Sequence, residues 1–139
     1  MKIEFEVPGK AVGKGRPRFS RRSGHVYTPA KTAQYEMQVA AACREAMGLT
    51  PPTEGPVHVS ISVLRSIPKS WAKLKNREYF KERTLPRPDV DNIAKAILDG
   101  CNGIAYKDDA QVNALYITKG YGSCDITLVT IWIPDDERI

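Results

Sequence analysis

The segment RPDVDNIAKAILDGCNGIAYKDDAQV, residues 87–112, organises the rest of the chain. Pro88 biases Arg87 towards extended backbone. A helix follows from about Asp91 to Leu98 or Cys101 and ends near Gly100 and Gly103. Ile93, Ala94 and Ile97 share one arc suited to burial against a sheet, with Leu98 closer to its edge. Asp91, Lys95 and Asp99 fall at successive i,i+4 spacing and form a polar stripe. Asp108 and Asp109 come after a Gly-containing turn, directly before a strand expected over roughly 111–119.

Working outward, Ile3, Phe5 and Val7 alternate with charged residues as a half-buried strand, ended by Pro8 and Gly9. Thr28 as N-cap and Pro29 as the first helical position open a helix through Tyr35, Met37, Val39, Ala40 and Ala46. It stops at Gly48 and Pro51-Pro52. Val57, Val59, Ile61 and Val63 predict another strand, and a basic helix is expected over 69–83 after Pro68. A last strand over 124–133 alternates Ile126, Leu128, Thr130 and Trp132 with Val129, Ile131 and Ile133. This order implies a single compact α+β domain over 1–139, a mixed β-sheet packed with helices. A mobile basic loop is expected near 9–27; it lacks both glycine patterns that cradle nucleotide phosphates.

The chain has 139 residues, enough for one core, and no stretch approaches the roughly 20 apolar residues of a membrane span. Its start, MKIEFEVPGK, has no signal-peptide h-region, so a cytoplasmic protein is expected. Cys43, Cys101 and Cys124 are odd in number and lack CxxC spacing, which reads as reduced core thiols rather than a disulfide framework or zinc cluster. With His25 and His58 the only histidines, a metal would have to be held by carboxylates.

The formal charge of +5 is unevenly spread. Lys10, Lys14, Arg16, Arg18, Arg21 and Arg22 occur with no acid among residues 10–22. Residues 65–87 carry a second cationic block, from Arg65 to Arg87, against only Glu78 and Glu82. Such blocks suit a polyanion, because each phosphate contact releases counterions; a solvated cationic surface is the alternative. Phe19, Tyr27, Trp71, Tyr79 and Phe80 are interleaved with these cations, where base stacking and core packing both stand as uses.

Asp89 and Asp91, two residues apart in an extended approach, project to the same side. Two adjacent carboxylates repel unless a cation intervenes, and Mg²⁺ prefers oxygen ligands. Bound there, Mg²⁺ would activate water and offset charge on a phosphodiester, with Lys95 adding a positive group. Ordinary structural uses compete. One Asp can cap a helix, for about 1 kcal/mol; Asp91 and Lys95 can pair, for a few tenths of a kcal/mol; Asp108 and Asp109 can be turn residues. Capping, however, needs only one carboxylate.

At these residues the sequence resembles the RusA family of Holliday junction resolvases, small endodeoxyribonucleases common in phages and prophages. The likeness rests on Asp89-Val90-Asp91-Asn92, Lys95, Asp99 and Asp108-Asp109-Ala110-Gln111-Val112, with GKGRPRFSRR and YTPAKTAQYE nearer the start. It implies a homodimer that resolves four-way junctions by paired symmetric nicks, with Mg²⁺ or Mn²⁺, in DNA recombination and repair. Carried onto this chain, Asp89, Asp91 and Asp109 would be the metal-binding catalytic acids, Asp109 being preferred to Asp108, and Lys95 the catalytic lysine. Lys10, Lys14, Arg16 and Arg18 become the candidates for phosphate contact. Two other readings stay open: a less selective branched-DNA endonuclease, and a non-catalytic DNA-binding protein.

Overall fold

Alternation of apolar and polar residues builds the strands, because successive side chains point to opposite faces. In β1 (Lys2–Pro8), Ile3, Phe5 and Val7 are buried and the residues between them exposed. β4 (Val57–Ser66) buries Val57, Val59, Ile61 and Val63, and β6 (Ile126–Trp132) buries Thr127, Val129 and Ile131. The remaining elements are a two-residue hairpin, β2 (Arg18–Phe19) and β3 (Val26–Tyr27), the helices α1 (Ala30–Met47) and α2 (Val90–Cys101), and β5 (Val112–Gly122). This computed structural model describes residues 1–71 and 84–134. The expected α+β domain is observed: a mixed four-stranded sheet packed against two helices.

The sheet order is β1-β6-β4-β5, with β4 and β5 parallel and the other pairs antiparallel. A parallel pair requires a crossover. Here the crossover contains α2 and ends in a 3-10 turn, Asp109–Gln111, immediately before β5. Both acidic segments therefore lie on one connection. The core joins the inner sheet face to α1, through Tyr35, Val39 and Cys43, and to α2, through Ile93, Ala94 and Ile97. The Tyr35 hydroxyl adds a 3.2 Å hydrogen bond to Thr127 Oγ1 within it. The helices cross closely at Gly100, where a methyl group would lie 2.7 Å from Val39 Cγ1 and 3.1 Å from the Glu36 carbonyl oxygen.

Several sequence expectations need correction. Pro29, not Thr28, is the N-cap of α1, and no side chain caps that helix. The first turn's threonine serves the preceding loop instead: Thr32 Oγ1 accepts the Gly15 N–H and donates to the Gly13 carbonyl. α2 starts at Val90, a little before the expected Asp91. Segment 9–27 carries the β2–β3 hairpin. Cys43 and Cys101 are buried core thiols, but Cys124 is exposed, since it follows the end of β5 in a surface turn. Most of the helix expected over 69–83 lies outside the described residues; its start, Lys69–Trp71, is a 3-10 turn.

Candidate active site

Asp89 is the N-cap residue of α2, with extended backbone at φ −74 and ψ 155, yet its side chain makes no capping hydrogen bond. Asp91 sits in the first turn. Acids suit that position, because a helix N-terminus carries partial positive charge. The ion pairs among the described residues are Lys2–Glu4, Lys14–Glu36, Lys14–Asp99 and Lys107–Glu54. Asp91 and Lys95 are not among them, and Asp89, Asp91 and Lys95 are all exposed. Neither structural use of the Asp89-x-Asp91 pair is taken up, so its carboxylates stay open to a ligand. The backbone before it is pinned. Arg65 Nη1 donates to the Arg87 carbonyl at 3.1 Å, and Lys119 Nζ donates to the Pro88 carbonyl at 3.1 Å. Two cations of the basic count are thus spent on main chain.

The second acidic segment is built differently. The Gln111 N–H donates to the Asp108 main-chain carbonyl at 3.0 Å while Gln111 Oε1 accepts the Asp108 N–H at 2.9 Å, which closes the turn from both sides. Gln111 Oε1 also accepts the Lys107 N–H at 2.9 Å, and its Nε2 donates to the Thr53 and Gly55 carbonyls at 2.8 Å. Asp108 is thereby a turn residue. Asp109, beside it, has its carboxyl pushed above the ordinary 3.8 by a hydrogen bond with Asp108, by lost hydration, and by the charges of Asp108 and Asp99. The Lys95 ammonium pulls the other way. Lys95, Asp99 and Asp109 therefore share one electrostatic neighbourhood.

Lys14 behaves unlike its basic neighbours. Its Nζ lies 2.6 Å from Glu36 Oε1 and 3.0 Å from Asp99 Oδ2, in a partly buried position. Burial works against its charge, but the two carboxylates outweigh this and hold the ammonium above the usual lysine value of 10.5. The Lys14 N–H also donates to the Asn92 carbonyl at 2.9 Å. Next to it, a methyl group on Gly13 would lie 2.8 Å from Pro88 Cβ, so only glycine lets the loop approach this closely. The start of the basic segment is seated between α1 and the Asp89–Asn92 turn.

Beside that contact a groove of about 350 Å³ is lined by Ala11, Val12, Gly13, Lys14, Lys31, Arg87, Pro88, Asp89 and Asn92. Lys31 and Arg87 have no acidic partner among the described residues; the same holds for Lys10, Arg16 and Arg18. A carboxylate thus opens onto a groove whose walls carry free cations. Every candidate ligand is a carboxylate oxygen, the donor type Mg²⁺ takes, often with only one or two carboxylates and several waters. The donor chemistry fits. Among the described residues, however, no three His, Cys, Asp or Glu side chains gather closely enough to hold one ion. Asp109 lies by Lys95 and Asp99, and Asp99 stands about 12 Å along the helix axis from Asp91.

A family model described as Endodeoxyribonuclease RusA matches residues 8–132. This chain belongs to the RusA endodeoxyribonuclease family. Membership implies nuclease activity on DNA, with recombination and repair as its setting, and RusA family nucleases are generally metal-dependent. The match takes in the basic segment, the Asp89-x-Asp91 pair and the Asp108–Gln111 turn. A similar chain is the uncharacterized protein YqaN of Bacillus subtilis strain 168, 39% identical over 125 residues that cover 86% of this chain and 87% of that protein. No helix among the described residues of this RusA family member is long and apolar enough to cross a membrane. Reading the sequence alone missed Glu36 and Lys31. Both lie inside the YTPAKTAQYE stretch that carries the family likeness, and that was the one available signal.

Proposed function

We propose that the protein is a divalent-metal-dependent endodeoxyribonuclease that resolves four-way DNA junctions by paired symmetric nicks. One observation carries this reading: Asp89 and Asp91 are left without cap bond or ion pair beside a groove walled by unpaired cations. Asp89 and Asp91 would hold Mg²⁺, for which Mn²⁺ would substitute, and Asp109 is the third acid that the family likeness assigns to the ion. The chemistry such an ion supplies is neutralisation of phosphodiester charge and a lowered pKa for water at the site. Lys95, between Asp91 and Asp99 on the α2 stripe, offers an ammonium to charge developing on the phosphate. Lys10, Arg16 and Arg18 contact backbone phosphates. Lys14, turned towards Glu36 and Asp99, seats the segment that carries them.

Two equivalent cuts on a two-fold junction ask for two equivalent sites, which a homodimer provides. The products are 5′-phosphate and 3′-hydroxyl nicks, made in the cytoplasm of a bacterial or phage-infected cell. The separation of Asp109 from the Asp89-x-Asp91 pair favours a second reading, a non-catalytic DNA-binding protein. Incubation with labelled four-way junction, flap and linear duplex, with and without Mg²⁺, decides between them. Paired nicks on the junction alone, only with the metal, are expected. Cutting of flaps and junctions alike would leave a branched-DNA endonuclease, and binding without cleavage under any divalent metal would remove the enzyme reading.

A further inference from the structure

The β2–β3 hairpin carries large apolar side chains that no other part of the described protein covers. Arg18 pairs with Tyr27 and Phe19 with Val26, so Phe19 and Val26 share one face of a two-residue ladder. Phe19 is 64% exposed, Val26 67% and Tyr27 48%. The tip is nonetheless well formed. The Ser20 N–H donates to the His25 carbonyl, the Gly24 N–H to the Ser20 carbonyl, and the Ser23 N–H to Ser20 Oγ. Trp71, the other described aromatic of the basic blocks, packs edge-on against Tyr121 at 5.3 Å. Packing therefore accounts for Trp71 and leaves Phe19 and Tyr27 unexplained.

The charge around these rings selects what covers them. Arg16, Arg18, Arg21 and Arg22 surround the hairpin, and none has an acidic partner among the described residues. Apolar rings ringed by free guanidinium groups fit a ligand with flat faces on an anionic backbone, which is unstacked nucleic acid. A duplex hides its base faces by stacking; a branch point or single strand does not. We infer that the hairpin is a stacking element, with Phe19 and Tyr27 receiving unstacked bases at a DNA branch while the arginines hold the flanking phosphates. This rests on the reading of branched DNA as substrate. It assigns substrate selectivity to a surface outside the acidic site.

Binding measured without divalent metal, so that no cutting intervenes, tests it. In a Phe19→Ala/Tyr27→Ala variant, affinity for a four-way junction is expected to fall roughly 30-fold or more, the loss of two base–aromatic stacks. Affinity for linear duplex and the salt dependence should stay as in wild type, since no cation is removed. The Phe19→Trp single variant should keep junction affinity, and its indole fluorescence should be quenched by junction and by single-stranded DNA but not by duplex. Equal losses on junction and duplex, or no loss, would overturn the inference. So would dissociation of a wild-type dimer by the alanine variant, which would make this face a contact between copies of the chain. If wild type itself does not prefer junctions, the proposed function loses its selectivity, and F19W quenching on single strands alone then decides the hairpin: quenching upholds stacking and its absence refutes it.

Discussion

The two acidic segments of the crossover are built on opposite principles. Asp89 and Asp91 open α2 with exposed carboxylates that bond to nothing in the described protein, and the fixing is done behind them, by Arg65 and Lys119 on backbone carbonyls. Asp108 and Asp109 sit in a turn tied down by the Gln111 side chain, which makes four hydrogen bonds to main-chain groups. The first segment spends no side chain on stability and keeps two negative charges available; the second is held by the Gln111 side chain and sets the Asp108 and Asp109 carboxyls against each other. The difference separates positions kept for a ligand from positions kept for the fold.

Neutralising the free pair is the largest test of that difference. Asp89→Asn or Asp91→Asn should lower junction cleavage by roughly two orders of magnitude or more, the scale set by losing a preorganised charge at a reacting centre. Stability should change by less than about 0.5 kcal/mol, because neither carboxylate supports the fold. Junction affinity without metal should hold or tighten, since a charge that repels phosphate is gone. Cleavage at wild-type rate in either variant breaks the assignment; a large drop in the urea midpoint breaks the contrast.

Gln111→Ala asks the reverse question. It removes four hydrogen bonds and strands the Thr53 and Gly55 carbonyls, so unfolding free energy should fall by about 2–3 kcal/mol. Cleavage should decline less than in the Asp89 variant, because Asp109 is displaced rather than removed. Gln111→Glu should be no better, as it points an oxygen at two carbonyls. Asp108→Asn sharpens the same comparison. The turn's main-chain bonds with Gln111 stay, but the hydrogen bond and the charge by which Asp108 raises Asp109 are lost. Asp109 then ionises at lower pH, and the acidic limb of the pH–rate profile should move to lower pH. A shift the other way would place the controlling group elsewhere.

Much of this was legible in the sequence. Period-two runs such as Ile3, Phe5 and Val7 located the strands, and the DxDN–Lys95–Asp99 spacing placed a helix with a polar stripe, because both signals are local. Strand order was not legible, since it depends on which edges meet across the chain. The role of Lys14 was hidden for the same reason. In sequence it is one of six cations without an acid nearby; its partners Glu36 and Asp99 arrive only when α1 and α2 cross at Gly100. The count of basic residues likewise overstated the DNA surface, because Arg65 and Lys119 hold main-chain carbonyls. The unused carboxylate of Asp89 is the converse: a helix-start Asp reads as a cap until the missing hydrogen bond is seen.

Lys14 and Arg16 give the finest division, between a cation owned by the fold and one offered to DNA. Lys14→Met should cost about 2 kcal/mol, the worth of charge-assisted bonds to partly buried carboxylates. Its folded pKa is raised, so the stability it contributes is complete below the usual lysine value of 10.5 and is lost as pH rises through the higher folded value. Wild type should therefore lose stability in that alkaline range while the methionine variant, already lacking the pair, loses less. The salt slope of DNA binding should not change in this variant. Arg16→Ala should do the opposite, leaving the urea midpoint in place and flattening the salt slope by about 0.9 for one phosphate contact on duplex DNA. A Lys14 variant with the shallower slope would return that residue to the phosphate-binding set, and the loop would then be held by Gly13 and the Lys14–Asn92 main-chain bond alone.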